Sequence, residues 1–352
     1  MRQIIVLIVL TMLVFACKKT SNQTDDNYEP TPTSIDYPSW VNVYLSEMPQ
    51  NADNPLTKEG IELGRQLFYE TQLSLNNTQS CGSCHQQVNG FSDSSRYSSG
   101  IDGSRGNRNA MAIVNLAWSK YFFWDGSRTS LEEQAHDPVT NPIEMNNDWT
   151  TVVQRLLKDP KYPTLFYRAF KTRNIDSNLV VRAIAQFERS LVSFNSRFDQ
   201  YYFEGDTTIL NQQEKNGLSI FFNKGDCNHC HSDVLLSDDA FRNNGLDKVF
   251  TDNGRGLVTK DATDNGKFKV VSLRNIEATA PYMHDGRFKT LEEVVSHYNE
   301  GIHKDSPNMD DNMQKLIAGI QLSTQEKRDL VAFLKTFTDQ NFLNNQAFSN
   351  PN

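Results

Sequence analysis

The feature that most constrains this chain is a five-residue motif that occurs twice, as Cys81-Gly-Ser-Cys84-His85 and as Cys227-Asn-His-Cys230-His231. Two thiols at this spacing, with a histidine directly after them, are what covalent attachment of c-type haem requires. Each thiol bonds to a haem vinyl group, and the histidine lies next to the iron. A redox CxxC or half of a zinc site is the alternative, but no CxxC is left over to complete a zinc tetrad. The sequence therefore predicts two covalently bound haems.

The fifth cysteine, Cys17, follows a short apolar run at residues 4–16 that stands behind Arg2. This pattern resembles the signal peptide of a bacterial lipoprotein, which is cleaved before a cysteine. We therefore predict a signal peptide at residues 1–16 and a membrane-anchoring lipid on Cys17. The alternative is an ordinary signal peptide with a spare thiol, since Phe15 is not the commonest residue at its position. Either reading predicts an exported protein, periplasmic or on the surface of a bacterial envelope, which suits c-type haem.

The composition suggests a tether followed by roughly two domains. The stretch from Lys18 to about Pro38 is rich in Ser, Thr, Asn, Asp and Pro, so we predict a flexible tether at residues 17–50, with folding starting near Trp40. We expect an N-terminal haem domain at residues 51–205 and a C-terminal one at residues 206–345. The net charge is −8, and there is no Lys/Arg cluster, which argues against nucleic acid. A basic redox protein would be a compatible partner.

The periodic segments are helical, and long strands are absent. A helix is predicted over residues 57–69, opening at Thr57, and one long helix over residues 177–203, packed between the domains. Ser323-Thr-Gln-Glu326 is a capping box before a last helix that ends near Thr338. Residues 90–108 and 233–268 are rich in Gly, Asn, Asp and Ser, so they are expected to be loops that cover the haem faces.

The two halves of the chain also match each other. Gly64-Arg-Gln-Leu-Phe-Tyr69 before the first haem motif resembles Gly217-Leu-Ser-Ile-Phe-Phe222 before the second. The pattern predicts a mainly α fold with two cytochrome c-like haem lobes related by an internal repeat. At a fixed offset of 160 positions, Asn115 matches Asn275, Asp125-Gly126 matches Asp285-Gly286, and the capping boxes Ser130-Leu-Glu-Glu133 and Thr290-Leu-Glu-Glu293 match each other.

One difference between the two copies bears on the iron atoms. Leu291, Val294, Val295 and Tyr298 share one helix face, whereas the first copy has Pro138 where the second has Tyr298. A phenol can ligate iron and a proline cannot. If this face covers the haem, Tyr298 closes the second iron and the first stays open to a small molecule. The alternative is a core tyrosine that faces a loop proline.

Together these residues resemble the bacterial di-haem cytochrome c peroxidases and MauG, the di-haem enzyme that completes a tryptophan-derived quinone cofactor. The resemblance implies a peroxidase that reduces hydrogen peroxide to water with electrons from a small redox protein such as cytochrome c. The alternatives are a MauG-like oxidation of a protein or organic substrate, and an electron-carrying di-haem cytochrome without peroxide chemistry. The similarity covers roughly residues 55–340 and rests on the haem motifs, Phe123-Trp-Asp-Gly126, Leu131-Glu-Glu-Gln134, Asn141-Pro-Ile-Glu-Met145, Phe187-Glu-Arg-Ser-Leu191, Ser272-Leu-Arg-Asn275 and Ala280-Pro-Tyr-Met-His-Asp-Gly286.

The resemblance also implies roles for individual residues. Trp124 would lie between the haems as an electron bridge, and Gln134, Pro138 and Glu144 would line the peroxide side of the first haem. Glu144 would move a proton to the leaving oxygen. The remaining residues implied in this way are Arg274 and His284 near the propionates of the second haem, and the Asn109 side chain with the Thr279 and Pro281 carbonyls as ligands of a calcium ion between the haems.

The chain departs from the peroxidase pattern in two places, and both point toward MauG. The peroxidases place a distal histidine where this chain has Ile101, and a methionine where it has Tyr298. The rivals of Tyr298 as ligand of the second iron are His297, Met283 and Met309. Because Ile101 cannot bind iron, we expect an open first iron that reacts with peroxide without prior reduction, unless His136 or Met111 closes it.

Overall fold

The structure, a computed structural model, describes residues 27–351 of the chain, apart from the side chains of residues 314 and 315. The predicted signal peptide at residues 1–16 and the predicted lipid on Cys17 therefore lie outside the described residues. Between residues 27 and 351, no helix is long and apolar enough to cross a membrane.

The described chain is mainly helical, as predicted, and two short strands, β1 (Phe241–Arg242) and β2 (Phe268–Lys269), pair antiparallel. The predicted loop at residues 90–108 contains no helix, whereas the one at residues 233–268 includes β1 and a helical turn. The helices are α1 (Val41–Tyr44), α2 (Lys58–Phe68), α3 (Cys81–Cys84), α4 (Leu131–Thr140), α5 (Trp149–Lys158), α6 (Lys161–Phe170), α7 (Ser177–Ser190), α8 (Arg197–Tyr202), α9 (Gln212–Phe222), α10 (Gly256–Thr259), α11 (Leu291–Ser296), α12 (Asp311–Lys315), α13 (Thr324–Lys335) and α14 (Gln340–Asn344), with a π-helical turn (His297–Gly301) directly after α11. Short 3₁₀ turns occupy Thr71–Leu73, Gln87–Asn89, Leu116–Trp118, Cys227–His229 and Ala262–Asp264.

A first hydrophobic core forms around α2 and α7. Thr57 starts α2 as predicted, because its side chain accepts a hydrogen bond from the Gly60 backbone N–H at 3.0 Å. The two helices meet at Gly64, where a Cβ atom would lie 1.9 Å from the Ala183 carbonyl oxygen and 2.9 Å from the Phe187 Cβ. Only glycine allows this approach, so Gly64 determines how closely the two helices pack.

A second core forms around α9 and α13 with the same contact. A Cβ on Gly217 would lie 2.0 Å from the Asp329 carbonyl oxygen and 2.6 Å from the Phe333 Cβ. Around this point Phe221, Phe333 and Phe337 pack edge to face, with ring centroids 5.1 to 5.7 Å apart. Each haem motif follows the first helix of one of these two pairs.

Backbone geometry also matches between the two cores. Asn115 and Asn275 both adopt a left-handed conformation, with φ of 54° and 60°. The Asn115 N–H donates to the Leu191 carbonyl, and the Asn275 N–H donates to the Phe337 carbonyl. Isolated β-bridges at Phe122–Arg128 and Tyr282–Phe288 have the same spacing of 160 positions.

The three predicted capping boxes differ in completeness. Thr290 with Glu293 and Ser323 with Glu326 form both reciprocal hydrogen bonds, at the starts of α11 and α13. At the start of α4, the Glu133 carboxylate instead accepts from the Thr129 N–H, so only half of the box is present. Both α4 and α11 nevertheless begin where they were predicted, and α13 ends at Lys335 rather than near Thr338.

The predicted long helix over residues 177–203 is wrong, because α7 ends at Ser190 and α8 begins only at Arg197. The Asn115 side chain separates them: its Oδ1 accepts from the Ser193 N–H at 2.8 Å, and its Nδ2 donates to the Ser193 carbonyl at 3.1 Å. Ser196 then caps α8. The apolar spacing continued across the break because Phe194 is buried in an extended segment.

The predicted tether over residues 17–50 differs from the structure over its described part. The Thr33 N–H donates to the Leu56 carbonyl at 3.1 Å, and the Thr31 N–H donates to Glu59 at 2.7 Å. Trp40 stacks on Phe203 with ring centroids 4.3 Å apart. The segment from Tyr28 onward is therefore packed on the helices, because its few aromatic side chains find apolar partners there.

The segment that follows α13 returns to the first core. Phe342 and Phe348 pack on Phe91 with ring centroids 5.5 and 6.5 Å away. The Tyr69 hydroxyl donates to the Phe348 carbonyl at 2.8 Å, and the Arg65 Nε donates to the Ser349 carbonyl at 2.7 Å. Residues 342–349 thus cover Phe91, although they follow the helices of the second core.

Candidate haem sites

The first haem motif forms the single turn of α3, which Ser80 and Ser83 cap reciprocally. His85 follows this turn, and its Nδ1 lies 2.8 Å from the Phe91 carbonyl oxygen. A proton on Nδ1 donated to this carbonyl leaves the Nε2 lone pair for a metal, and it sets the orientation of the ring. Burial lowers the pKa of His85, which favours this neutral form.

The second motif has the same arrangement. His231 follows a 3₁₀ turn, and its Nδ1 lies 3.1 Å from the Leu236 carbonyl oxygen. Burial lowers the pKa of this histidine as well. Phe91 and Leu236 have φ of 59° and 52°, a conformation that bulky side chains adopt only under constraint. Strain of this kind is typical of functional sites, and here it directs both carbonyls at the histidines.

The four cysteines of the motifs are free thiols within the described part of the chain. Burial raises the pKa of each, to about 12 for Cys227 and to about 11 for Cys230. In each motif the two buried thiols stand directly before the histidine, which is the order of groups that covalent haem attachment requires.

A cavity of about 300 Å³ adjoins the second motif. One water needs roughly 10–15 Å³, so the cavity is far larger than a packing defect. The side chains around it are mostly apolar, as a porphyrin face requires. Residues that line it include Cys227, Cys230, His231, Tyr298, Met283, His284, Trp124, Asn109, Thr279 and Pro281.

Tyr298 lies at this cavity, on the π-helical turn after α11. Burial raises its pKa to about 12, while a hydrogen bond from the Asn244 side chain, 3.2 Å away, acts in the opposite direction. The Met283 Sδ lies 3.5 Å from the same Asn244 amide nitrogen, so both candidate ligands are at one place. Neither His297, which faces the Asn244 carbonyl at 3.3 Å, nor Met309 lines the cavity.

Glu144 lies on the loop after α4 and contacts the loop that carries Ile101. The Asn141 side-chain amide donates to Oε1 of the Glu144 carboxylate at 2.6 Å. The Ile101 backbone N–H donates to the main-chain carbonyl of Glu144 at 3.0 Å. Its side chain is open to solvent, yet the protein packed around its carboxyl raises the pKa by desolvation, with a smaller contribution from the charge of Asp137. Glu144 is therefore accessible and more basic than an ordinary carboxylate.

Gln134 and Pro138 lie four residues apart on α4, so they share a face. His136 lies two positions from each, which places it about 200° around the helix. Its side chain is exposed, and its ring lies 5.0 Å from that of Trp149. The other alternative ligand, Met111, has its backbone hydrogen-bonded to the ring of His85.

Trp124 and His284 lie side by side at the cavity, with ring centroids 6.5 Å apart. The Trp124 Nε1 donates to the Asn109 carbonyl at 2.8 Å, and the Asn109 N–H donates to the His284 carbonyl at 2.7 Å. The Asn109 amide nitrogen lies 3.0 Å from the Ser95 carbonyl, which leaves its Oδ1 as an acceptor. Asn109, Thr279 and Pro281 all line the same cavity.

The prediction that Arg274 lies near haem propionates is not supported. Its guanidinium is fully buried and pairs with both carboxylate oxygens of Asp199 at 2.9 Å. Its Nε also donates to the Val234 carbonyl at 2.8 Å. Asp199 and Val234 thus engage most of the guanidinium donors, and Arg274 does not line the cavity beside the second motif.

Sequence reasoning missed three residues of these sites. Phe91 and Leu236 act through backbone carbonyls, which leave no signal in the side-chain pattern. Asn244 lies in a polar loop, and only its contacts with Tyr298 and Met283 distinguish it from the loop asparagines around it.

Comparison with known proteins identifies the family to which this chain is similar. Residues 58–208 match the family described as di-haem cytochrome c peroxidase. The methylamine utilization protein MauG of Methylorubrum extorquens is 38% identical over 292 residues, which cover 82% of this chain and 81% of that protein. Cytochrome c551 peroxidase of Nitrosomonas europaea is 34% identical over 294 residues, which cover 82% and 83%.

A solved structure agrees with this. A MauG-like protein associated with microbial copper homeostasis is 35% identical, with a TM-score of 0.82, and the alignment covers 91% of this chain and 99% of that chain. The similarity to the named proteins extends over both haem motifs. The predicted resemblance is therefore confirmed, and the chain belongs to the di-haem cytochrome c peroxidase family, an oxidoreductase family that includes MauG.

Proposed function

We propose that this protein reduces hydrogen peroxide to water at the His85 site, with electrons that a small redox protein such as cytochrome c delivers through the His231 site. The observation that carries the proposal is the difference between the two sites. The charge of Glu144, an accessible carboxyl of raised pKa, acts on the Cys81 and Cys84 thiols of the first motif, while a phenol and a thioether lie together beside the second.

The residues present fit two haems. Cys81 and Cys84 would attach one, with His85 as the proximal ligand, and Cys227, Cys230 and His231 would hold the other in the cavity beside them. When bound, the haem iron supplies the centre at which the O–O bond of peroxide is cleaved. Each histidine is held by one backbone carbonyl, so its ring is oriented before the cofactor is attached.

Glu144 would do the proton work of the first site. As a carboxylate it would accept a proton from hydrogen peroxide and return it to the leaving oxygen. The Asn141 amide donates to Oε1 of the Glu144 carboxylate, and the Ile101 N–H donates to the Glu144 main-chain carbonyl, so one contact orients the side chain and the other fixes its backbone. Gln134 and Pro138, which share one face of α4, would limit the space on the peroxide side of the first haem to that of a small molecule.

Tyr298 would close the second iron, and Trp124 would link the two sites. Tyr298 lines the cavity with Cys227 and Cys230, while His297 and Met309 do not, so Met283 is the strongest rival ligand. Trp124 lies at the same cavity and is hydrogen-bonded to Asn109. His284, whose ring lies beside that of Trp124, would interact with the propionates of the second haem.

A MauG-like oxidation of a protein or organic substrate is the second candidate. Tyr298 favours it, because a phenolate lowers a haem potential where methionine raises it, which makes electron delivery from a high-potential cytochrome less favourable. The 38% identity to the MauG of Methylorubrum extorquens supports it as well. An electron carrier alone is disfavoured, because it needs no acid–base group such as Glu144 beside its iron.

We also propose a domain organisation, a calcium site and a membrane anchor. Two haem domains, at residues 51–205 and 206–345, would be lobes of an internal repeat, which the matched contacts of Gly64 and Gly217 support. A calcium ion between the haems would use the Asn109 Oδ1 and the carbonyls of Thr279 and Pro281, hard oxygen ligands of the kind calcium prefers. A lipid on Cys17 would hold the exported protein at a membrane, on the periplasmic side or at the cell surface.

Two measurements test the function. Intact mass after denaturation is expected to show two haem additions, since the motifs use four cysteines. Stopped-flow mixing of the oxidised protein with peroxide, followed by reduced cytochrome c, is then expected to show a fast haem transition and cytochrome oxidation. A fast haem transition without cytochrome oxidation would favour the MauG-like reaction. If peroxide causes no haem transition at all, the protein would be an electron carrier without peroxide chemistry.

A further inference from the structure

One buried carboxyl near the first haem motif has no role in the mechanism above. Glu188 lies on α7 and is 3% exposed. Within the described residues its Oε2 is fully buried and has no hydrogen-bond partner. An unpaired buried carboxylate is costly, so such a group is normally paired or protonated.

The cation next to Glu188 in the sequence is paired with another carboxylate. Arg189, the next residue, forms two hydrogen bonds with Glu132 of α4, both at 2.8 Å. Burial raises the pKa of Glu188 to about 8, Arg189 lowers it, and the charge of Glu132 raises it further. The carboxyl is therefore protonated at neutral pH, yet close to the point at which it ionises.

Glu188 lies near the haem attachment point. Its charge contributes to the raised pKa of the Cys81 thiol, so Glu188 lies within electrostatic range of the haem attachment point. Once Cys81 is a thioether it no longer titrates. Arg189 on the same helix and Glu132 on α4 are then the charged groups that act on Glu188.

The second core contains a position that is equivalent to Glu188. Ala183 and Phe187 contact Gly64 as Asp329 and Phe333 contact Gly217. The residues of the two second helices, Ala183 and Asp329 or Phe187 and Phe333, are 146 positions apart, as are Cys81 and Cys227. The same offset pairs Glu188 with Leu334, which lines the cavity beside Cys227. Where the second haem site has an apolar side chain, the first has an ionisable one.

We propose that Glu188 is a second proton-carrying group of the His85 site, which binds a proton from solvent when that site gains an electron and releases it when the electron leaves. The proposal rests on the proposed haem attachment at Cys81. Above the pKa of Glu188, each electron that the donor supplies to the site would convert one carboxylate to one carboxylic acid with a proton from solvent, so the added negative charge would be balanced within the site. The ionised carboxylate stabilises the ferric form, so the reduction potential of this site falls as pH rises.

The test is a spectroelectrochemical titration of the holoprotein between pH 6 and pH 9, followed at the bands of the His85 haem. We expect the midpoint potential of the wild-type protein to fall with rising pH. Glu188→Gln keeps the size of the side chain and cannot ionise, so its potential is expected to be independent of pH. The matched control is Glu62→Gln, an exposed carboxyl on α2 that should keep the wild-type slope.

A second readout does not depend on activity or potential. The infrared difference spectrum between reduced and oxidised protein should contain a carboxylic acid band that is lost in Glu188→Gln. If Glu188→Gln does not fold or take up haem, Glu188→Leu, which copies Leu334, replaces it with the same expected result. A wild-type slope in either variant, or no slope in the wild type, overturns the proposal.

Peroxide kinetics on the same samples separate this proposal from the proposed function. A wild-type protein that shows the pH slope but no reaction with peroxide contradicts the peroxidase function and leaves Glu188 as a proton carrier. A protein that reacts with peroxide but shows no slope contradicts only the role of Glu188.

Discussion

The residue on which the peroxide chemistry depends most directly is Glu144. Glu144→Gln is expected to keep both haems and to slow the reaction with peroxide by about a hundredfold to ten-thousandfold, the usual effect of removing a positioned acid–base group. Stopped-flow kinetics would measure this, with Glu133→Gln, an exposed carboxylate on α4, as the control. A Glu144→Gln protein with wild-type kinetics would remove this residue from the mechanism.

The pH profile of the same reaction follows from the raised pKa of Glu144. The base must be ionised, so the rate should rise with pH through the pKa of this carboxyl. Because burial raises that pKa, the acid limb should lie above the usual range of a glutamate. Glu144→Gln should lose this limb, and its persistence in the variant would assign it to another group.

Tyr298 and Met283 are distinguished by paired substitutions. Tyr298→Phe should remove the distal ligand of the second haem and change its low-spin electron paramagnetic resonance signal, because only the hydroxyl is lost. Met283→Leu is the matched control and should leave the signal unchanged, since both side chains contact Asn244. The reverse outcome would make Met283 the ligand.

Motifs in the sequence identify side chains that act directly, but not those that act through the fold. The cysteines and histidines of both haem motifs were predictable, because their chemistry dictates their spacing. The ion pair of Arg274 could not be predicted, because a position in a motif does not show that Asp199, 75 residues earlier, binds the guanidinium. The conformations of Phe91 and Leu236 could not be predicted either, since neither residue type favours a positive φ.

At the scale of elements, the close contact between α2 and α7 depends on one glycine. Gly64→Ala would place a Cβ atom 1.9 Å from a backbone oxygen, which cannot rotate away. Overpacking costs about 1–3 kcal/mol, more than the roughly 1 kcal/mol that alanine gains over glycine in a helix. We expect a lower denaturation midpoint by circular dichroism.

The control for this substitution is Gly106→Ala, where the nearest atom would lie 3.7 Å away. It should unfold close to the wild-type midpoint. If Gly64→Ala is as stable as Gly106→Ala, the two helices can separate without cost, and Gly64 does not determine their contact.

Helix starts were predicted better than helix ends. Thr57, Ser130 and Thr290 each place a side-chain oxygen at the first turn, and α2, α4 and α11 begin directly after them. The end of α7 depends on Asn115, 78 residues from Ser193 in the sequence, so local spacing could not reveal it. Apolar periodicity reports burial, and residues 191–196 are largely buried without being helical.

At the scale of the whole molecule, the arrangement of the first site predicts how the enzyme starts. The loop position at which the family places a distal histidine is Ile101. His136 is exposed beside Trp149, and the backbone of Met111 lies at the ring of His85. The fully oxidised protein should therefore contain one high-spin haem and react with peroxide without prior reduction.

Electron paramagnetic resonance of the oxidised protein measures this directly. Ile101→His provides the contrast, since it restores a histidine at the family position and should convert the first haem to a low-spin form that requires reduction. Two low-spin haems in the wild-type protein, inert until one electron is added, would show that another side chain closes the first site.

Residues 342–349 cover Phe91, whose carbonyl orients His85. A ribosome makes the His85 motif early, but it makes this cover only after more than 250 further residues have been added. The first site can therefore reach its final packing only once nearly all of the chain shown here has been synthesised and has folded back. A translation product that stops short of Phe342 would carry every residue of the catalytic site and still lack the packing that holds its histidine in place.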